Sequence, residues 1–191
     1  GAWAAAPSFA MWLTPQQELE GRVFGVVGRG AIGRRVACIV EALGMRVVFV
    51  APPGRPAESP RVGWDEGIRS VDVLSLHCPL NATTRHMVDA AVLAAMRPGA
   101  WLLNTARGGL VDEAAVSVAL RDGRLGGYGA DVLSTEPPRD GSPLLGAPNA
   151  FITPHMAWAT RAARQRLIDT TAENIAAFLA GRPIHVVPPH P

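Results

Sequence analysis

Apolar residues along the chain form short continuous runs that alternate with stretches of helical periodicity. The first run, residues 22–27, is followed by a glycine-rich turn and then by apolar positions every three or four residues through 31–43, where Gly44 ends the pattern. A continuous apolar run is typical of a parallel strand buried on both faces, and the spacing that follows is typical of a helix. With a second apolar run at 46–50, the pattern predicts a strand–turn–helix–strand unit.

The same alternation continues towards the C-terminus. Further strands are predicted at 71–76, 100–103, 127–132 and 151–153, and helices at 90–96, 113–121 and 160–179. Two segments rich in proline and glycine, 51–64 and 134–149, are predicted to be loops. Repeated alternation of buried strands and helices predicts an α/β fold, a doubly wound Rossmann-type and mostly parallel sheet with helices on both faces.

Composition narrows the class of protein. Of the 191 residues, 48% are hydrophobic, enough for a substantial core without disulfides or metals. Lys and Arg number 18 and Asp and Glu 16, a balance that argues against a nucleic-acid or membrane-surface partner. The cysteines, Cys38 and Cys78, form neither a disulfide framework nor a metal site, and no apolar run reaches the length of a membrane span. We therefore expect a cytoplasmic protein without a metal.

The glycine-rich turn has the spacing of a dinucleotide-binding loop. It follows a buried strand, opens a helix and consists of Gly28, Arg29, Gly30, Ala31, Ile32 and Gly33. In such a loop the first glycine permits the tight turn, the second lets the backbone approach a pyrophosphate, and the third lets helix and strand pack closely. The helix N-terminus adds N–H donors and partial positive charge. The sequence therefore predicts NAD(P) as the cofactor.

The acidic residue that usually follows such a loop by about 20 positions and binds the ribose 2′-hydroxyl is missing. Ala51 stands in its place at the end of the second strand. Without a carboxylate to repel a 2′-phosphate, and with Arg29 and Arg55 able to lie near one, the sequence slightly favours NADP over NAD. The alternative, that both arginines are ordinary solvated side chains, stays open.

Polar residues follow three predicted strands, where the loops of such a sheet usually carry the chemistry. Among them are Arg107, Glu136 and His155. Arginine binds a carboxylate bidentately and polarises a keto oxygen, histidine exchanges a proton near neutral pH, and a neighbouring carboxylate orients the imidazole. Each residue alone also has an ordinary interpretation, as a surface arginine, a loop carboxylate and a helix-capping histidine. Together they match what reduction of a 2-keto acid requires.

Further segments occur in the order of one known family. They are His77-Cys78-Pro79-Leu80 with Thr83 and Thr84, 96–100, Asn104-Thr105-Ala106-Arg107-Gly108, Asp131-Val132, Glu136-Pro137 and Thr153-Pro154-His155. With the glycine-rich turn, they make the sequence resemble the D-isomer-specific 2-hydroxyacid dehydrogenases from about Gly21 to Val187. The segments Glu136-Pro137-Pro138 and His155-Met156-Ala157-Trp158 are most similar to members that act as glycerate dehydrogenase or hydroxypyruvate reductase.

The resemblance implies a role for individual residues. Arg107 would bind the substrate, Glu136 would be the partner carboxylate and His155 the acid/base. Asp131 would hold the nicotinamide carboxamide, and the loop of Pro79 would lie along the cofactor. The full set implied to bind the cofactor comprises Gly28, Arg29, Gly30, Ala31, Ile32, Gly33, Ala51, His77, Cys78, Pro79, Thr84, Thr105, Ala106, Arg107, Asp131 and His155.

The resemblance also implies a domain organisation. Residues 1–20 would be an interdomain or dimer segment, 21–158 the dinucleotide-binding domain, and 159–191 a helix and tail that pack on a substrate domain largely missing from this chain. The stretch between 51 and 71 is short for the family, so we expect its usual helix to be trimmed. Because the apolar segments 3–12 and 160–179 would lack their partners, we expect a homodimer in which they contact the neighbouring subunit.

The function implied is that of an NAD(P)-dependent D-2-hydroxyacid dehydrogenase acting on a small molecule such as hydroxypyruvate or glyoxylate. Without a second wall to the cleft, the chain by itself is expected to be inactive. Two alternatives stay open. One is a 3-phosphoglycerate-type dehydrogenase. The other is a non-catalytic NAD(H)-sensing protein similar to the family's corepressors, which can retain Arg107, Glu136 and His155.

Overall fold

Seven strands form a single parallel sheet in the computed structural model, which describes residues 1–14 and 16–187. Pro15, in the predicted interdomain segment, and 188–191, at the end of the predicted tail, lie outside the described residues. In chain order the strands are β1 (Val23–Val27), β2 (Arg46–Val50), β3 (Arg61–Val62), β4 (Val73–Leu76), β5 (Ala100–Asn104), β6 (Leu125–Ala130) and β7 (Ala150–Ile152). Their order across the sheet is β3-β2-β1-β4-β5-β6-β7.

The described residues form five α-helices, three of which begin at a capping side chain. They are α1 (Ala31–Ala42), α2 (Trp64–Ser70), α3 (Ala90–Ala95), α4 (Glu113–Arg121) and α5 (Arg161–Leu179). The side chains of Asp89, Asp112 and Thr160 accept backbone N–H groups at the starts of α3, α4 and α5. After α1 the chain turns through Gly44, whose φ of 82° lies in the left-handed region that glycine tolerates.

Alternate residues of β1 face opposite sides of the sheet and contribute to two separate cores. Phe24 and Val26 pack with Ala37 and Val40 on the side of α1. Val23 and Val27 belong to the larger cluster on the other side, which also takes in residues of the helices α2, α3 and α4: Ile68, Leu93, Val116 and Leu120. Helices therefore cover both faces of the sheet, and the predicted doubly wound α/β fold is confirmed.

Two of the predicted boundaries are wrong. The segment 51–64, predicted to be a loop, contains β3, and α2, a helix of seven residues, follows directly. A strand of two residues is too short to show an alternating pattern, so β3 could not be predicted from the sequence. The strand predicted at 127–132 spans Leu125–Ala130. Its glycines make room for a neighbour, since a Cβ on Gly127 would lie 2.6 Å from the ring of Trp101.

The parallel arrangement brings the ends of all strands to one side of the sheet, called here the carboxyl edge. The chain passes from β1 outward to β2 and β3, and then crosses to β4 on the other side of β1. In open α/β sheets, ligands bind outside the carboxyl ends of the strands, at the point where the strand order reverses. That point lies between β1 and β4.

The helix α5 differs from the others because none of its residues is buried. Its exposed apolar side chains are Leu167, Ile168, Ile175, Phe178 and Leu179. Trp3, Phe9 and Trp12 near the N-terminus are exposed as well. Within residues 1–14 and 16–187, no helix combines the length and the apolar character needed to cross a membrane. The division of the chain at 20 and 158 stays a prediction.

Asp72 fastens the opposite, amino-terminal side of the sheet. Its carboxylate accepts the backbone N–H of Val23 at 2.7 Å and a guanidinium N–H of Arg97 at 2.9 Å, and Arg22 lies 3.8 Å away. Burial alone would raise the pKa of this carboxyl. The hydrogen bonds from Val23 and Arg97 and the positive charge of both arginines outweigh burial and hold the pKa of Asp72 below its usual value.

We expect Asp72→Asn to lower the free energy of unfolding by about 1–3 kcal/mol at neutral pH, because a charged acceptor is lost. A depressed folded-state pKa contributes stability that is present above the unfolded-state pKa and is lost as the pH falls through the folded-state value. The difference between wild type and variant should therefore shrink in acid. Urea unfolding across this pH range measures it, and a difference that stays constant down to the lowest pH would contradict the assignment.

Candidate active site

Two glycines of the turn after β1 are required by close contacts. Gly28 has a φ of 102°, and a Cβ on it would lie 2.4 Å from the carbonyl oxygen of His77. A Cβ on Gly33 would lie 2.2 Å from the carbonyl oxygen of Gly28. The turn is therefore pressed between the start of α1 and the chain that leaves β4, as the sequence predicts for the first and third glycines.

Gly30 is the opposite case, because a Cβ on it would meet no atom within 4 Å. It is the N-cap of α1, and neither a capping side chain nor an acidic residue occupies the first turn of this helix. The first amides of a helix have no intrahelical acceptor, and the helix dipole favours an anion there. Ala31 and Ile32 are exposed beside this open position. These features fit a dinucleotide pyrophosphate.

Arg29 brings a positive charge to the end of β2. Its guanidinium lies 5.4 Å from the ring centroid of Phe49, a residue of that strand. Such a stack restrains the arginine without consuming its hydrogen-bond donors. Ala51 follows β2 directly, as predicted, but it is fully buried and its N–H donates to the carbonyl of Val62. A larger side chain at Ala51 would therefore have to displace its surroundings.

The loop after β4 is held by its own hydrogen bonds. The hydroxyl of Thr84 donates to the carbonyl of Pro79 and accepts the N–H of Asn81, both at 2.8 Å. His77 Nε2 lies 2.8 Å from the Ser75 hydroxyl, and burial lowers the pKa of His77. Burial raises the pKa of the Cys78 thiol to about 11, so it is protonated at neutral pH. Thr84 therefore shapes the loop, and Pro79 is one of its exposed residues.

Glu136 and His155 come together although 18 residues separate them in the sequence. His155 Nδ1 lies 2.6 Å from Glu136 Oε2, and the other carboxylate oxygen accepts the N–H of Leu133 at 2.8 Å. Burial alone would raise the pKa of Glu136, but these hydrogen bonds and the imidazole charge hold it below its usual value. A carboxylate can only accept, so Nδ1 carries the proton of this bond and Nε2 is left for another partner.

The turn that carries His155 is fastened by Asp131. This buried carboxylate accepts the Thr153 hydroxyl at 2.5 Å and the N–H groups of Met156 and Ala157 at 2.9 and 2.8 Å. Burial would raise the pKa of Asp131, and the three hydrogen bonds lower it below its usual value. The helix-cap interpretation of His155 is wrong, because Thr160 caps α5. A contact of Asp131 with the nicotinamide stays a prediction.

Arg107 follows β5 and presents its guanidinium to solvent. The fully buried amide of Asn104 shapes its turn, donating to the carbonyl of Arg107 at 2.9 Å and accepting the N–H of Ala106 at 3.1 Å. In the part of the chain that the structure describes, Arg107 takes part in none of the ion pairs. One guanidinium N–H donates to the carbonyl of Ala106 at 2.7 Å, and the other donors of the group are available to an anionic group. Thr105 is exposed beside it.

The loops of Arg107 and Glu136 touch through Gly108. A Cβ on this glycine would lie 2.0 Å from the carbonyl carbon of Leu133, so only glycine permits the contact. The structure thus joins Glu136 and His155 directly by a hydrogen bond, whereas Arg107 is connected to them through backbone packing. Residues 1–14 and 16–187 contain no cluster of three or more His, Cys, Asp or Glu side chains that could hold a metal.

Sequence analysis assigned no role to several residues whose hydrogen bonds hold the loops of this site. Asn104 and Thr153 were part of recognised segments but had no assigned role, and Glu113 was predicted only as the first residue of a helix. Glu113 accepts hydrogen bonds from Ser134 and Ser142. In the sequence it is the first residue of a helix, where an acidic side chain is ordinary, so no local pattern distinguishes it.

Comparison with protein families finds one whose description fits this geometry. Residues 3–157 match the family model described as "D-isomer specific 2-hydroxyacid dehydrogenase, NAD binding domain". The chain is 43% identical over 190 residues to glycerate dehydrogenase of Methylorubrum extorquens and 40% identical over 191 residues to hydroxypyruvate reductase of Blautia hydrogenotrophica. Each comparison covers 98% of this chain and 59% of the relative, so the chain spans about three fifths of the length of these relatives.

Solved structures of several proteins are similar to most of this chain. A protein of Thermus thermophilus has a TM-score of 0.82 at 43% identity, over 95% of this chain and 59% of that one. An acyclic imino acid reductase in complex with NADPH and D-Arg has a TM-score of 0.80 at 34% identity, over 90% and 55%. D-lactate dehydrogenase of Lactobacillus jensenii with NAD+ has a TM-score of 0.83 at 28% identity, over 99% and 62%.

The glycine contacts make a prediction about stability. Gly33→Ala should lower the free energy of unfolding by about 1–3 kcal/mol, because the new methyl overlaps the carbonyl of Gly28. Gly30→Ser is the matched control, since it adds a side chain in open space at a position where serine is a favoured N-cap. Urea unfolding of the two variants should show loss for the first and near-wild-type stability for the second. Equal losses would mean that the turn is not packed as described.

Proposed function

The chain belongs to the D-isomer specific 2-hydroxyacid dehydrogenase family, and from that premise we propose that the full-length protein transfers a hydride between NAD(P)H and a small 2-keto acid. The product is a 2-hydroxy acid of D configuration. Hydroxypyruvate or glyoxylate is the proposed substrate, and the name of the relative at 40% identity supports hydroxypyruvate. The observation that carries the proposal is the 2.6 Å hydrogen bond of Glu136 with His155, which leaves Nε2 of the imidazole for a substrate.

The side chains divide the work of the reduction. When bound, the nicotinamide supplies the hydride that reaches the carbonyl carbon. The guanidinium of Arg107 binds the substrate carboxylate and polarises the keto oxygen. His155 donates the proton at Nε2 to that oxygen as the carbonyl becomes a hydroxyl. Glu136, ionised at neutral pH, stabilises the positive charge that His155 carries before the transfer.

The residues that would hold the dinucleotide lie at the carboxyl ends of β1 and β4. The open backbone at Gly30 and the amides at the start of α1 would bind the pyrophosphate. Pro79 and the turn at Thr105 and Ala106 supply the neighbouring surface, and Asp131 fixes the turn of His155 from below. Closure against a substrate domain would exclude water from the keto acid, so we expect negligible turnover by this chain alone.

Substitution of His155 tests the catalytic assignment in the full-length protein. His155→Ala should lower kcat by roughly 10²–10⁴-fold, as expected for loss of a positioned acid, while the Kd for NAD(P)H stays near the wild-type value. In Glu136→Gln the protonated imidazole loses its carboxylate partner. The basic limb of the pH profile for reduction should therefore move to lower pH. A His155→Ala enzyme with wild-type kcat would overturn the proposal. Dinucleotide binding without any turnover by wild type would favour the sensing protein.

We also propose that the protein prefers NADP to NAD by a small margin. The support is the positive charge of Arg29 above Phe49, together with the lack of an acidic residue directly after β2. A 2′-phosphate would pair with this guanidinium in a charge-assisted hydrogen bond. The solved relatives include complexes with NADPH and with NAD+, so both dinucleotides occur on this fold.

Arg29→Gln should weaken NADPH binding by about tenfold and leave NADH binding nearly unchanged, because only NADPH carries the 2′-phosphate. Arg35→Gln is the matched control, with the same change of charge at an exposed position of α1. Titration of the full-length protein and its variants with NADPH and NADH measures the two affinities. Equal losses for NADPH and NADH, or loss with the control alone, would contradict the proposal. Arg29→Gln is a better test of cofactor preference than Ala51→Asp, because Ala51→Asp would bury a carboxylate.

The homodimer and the cytoplasmic location stay predictions. The exposed apolar side chains of α5 and of the N-terminal segment, such as Phe178 and Trp12, support a subunit contact of the kind predicted. Light scattering on this chain decides the oligomeric state, and a monomer would contradict the prediction.

A further inference from the structure

Glu113 joins the two ends of the loop that carries Glu136. It is the first residue of α4, and its Oε1 accepts the N–H of Ser134 at 2.6 Å while its Oε2 accepts the hydroxyl of Ser142 at 2.7 Å. The Ser142 hydroxyl oxygen in turn accepts the N–H of Leu144 at 3.2 Å. Both oxygens of one carboxylate are therefore used to close the segment 134–142, and Glu136 lies inside that segment.

Three residues contact the peptide group between Leu133 and Ser134 or the N–H of the peptide before it. Its N–H, that of Ser134, donates to Glu113, and the N–H of Leu133 on the preceding peptide donates to Glu136 at 2.8 Å. Gly108, next to Arg107, packs against its carbonyl carbon so closely that no Cβ fits there. The loops after β5 and β6 therefore meet at this peptide, and Glu113 is the side chain that ties it to α4.

We propose that Glu113 is a positioning residue for the reaction, which fixes the Glu136 loop so that the carboxylate of Glu136 meets His155. The inference rests on the proposed function. In the described residues no hydrogen bond joins Glu113 to Glu136 or His155, so it acts through Ser134 and Ser142. A carboxylate suits this place because both donors need an acceptor, and its charge is favoured at a helix N-terminus.

Kinetics of the full-length protein test the reaction side of the proposal. Glu113→Ala releases both ends of the loop and should lower kcat on the order of tenfold, since small misplacements of catalytic groups are costly, with little change in the KM for the dinucleotide. Glu113→Gln should recover most of the rate, because its amide oxygen still accepts from Ser134 and its amide N–H can donate to the Ser142 hydroxyl. In combination with Glu136→Gln, Glu113→Ala should cause no further loss, because both act through one carboxylate.

Asp112→Ala is the control for a merely structural role. Asp112 caps the same helix by accepting the N–H groups of Ala114 and Ala115, and in the described residues its side chain makes no hydrogen bond to the loop 134–142. It should lower stability and leave kcat and the pH profile unchanged. If Asp112→Ala and Glu113→Ala reduce kcat equally, or if the losses of Glu113→Ala and Glu136→Gln simply add, the proposal is wrong. Should Glu113→Ala fail to fold, Ser142→Ala removes one arm of the contact and is expected to give a smaller loss of the same kind.

Hydrogen exchange on the chain separates this inference from the proposed function, because it needs no turnover. In Glu113→Ala, or in Ser142→Ala if the former does not fold, the amides of Leu133 and Ser134 should exchange faster than in wild type, by about tenfold or more for Glu113→Ala. Asp112→Ala should leave these two amides unchanged relative to the rest of the chain. Unchanged exchange at Leu133 and Ser134 in the Glu113 variant would overturn the positioning role even if the protein proves to be a dehydrogenase. Faster exchange with unchanged kcat in an active enzyme would overturn it as well.

Discussion

All seven strands of the sheet run in the same direction, and every functional feature depends on this constraint. Because parallel strands end on the same side, the glycine turn after β1, Arg107 after β5, Glu136 after β6 and His155 after β7 all reach the carboxyl edge. Residues far apart in sequence thereby become neighbours without any unusual backbone path. The cores on both faces hold the strands in this order. The same packing therefore positions the residues of the site.

Three carboxylates fix the positions of the loops that carry the site residues at this edge. Asp131 binds the turn of His155, Glu136 bonds both the imidazole and the N–H of Leu133, and Glu113 ties the loop between them to α4. The oxygens of these carboxylates accept hydrogen bonds largely from donors of the chain itself. The lowered pKa values of Asp131 and Glu136 keep both ionised at neutral pH. The groups left facing outward are the guanidinium of Arg107 and Nε2 of His155, the two that a 2-keto acid would need.

The sequence predicts features whose cause is local. A run of buried apolar residues identifies β1, and the glycine spacing identifies the turn, because the same few neighbours decide both. It fails where the cause is distant in sequence. β3 exists because Phe49 and Val50 offer it a partner, Ala51 is buried by its surroundings, and Glu113 matters through residues 21 and 29 positions away. The pairing of Glu136 with His155 was predicted by resemblance, since nothing in the spacing alone requires it.

We propose that this edge of the sheet carries out hydride transfer to a 2-keto acid. Isotope transfer in the full-length protein tests it most directly. With NAD(P)H deuterated at the transferring carbon of the nicotinamide and hydroxypyruvate as acceptor, deuterium should appear at the carbinol carbon of glycerate, in the D enantiomer alone. Deuterium that stays on the dinucleotide although hydroxypyruvate and cofactor are both bound would contradict it.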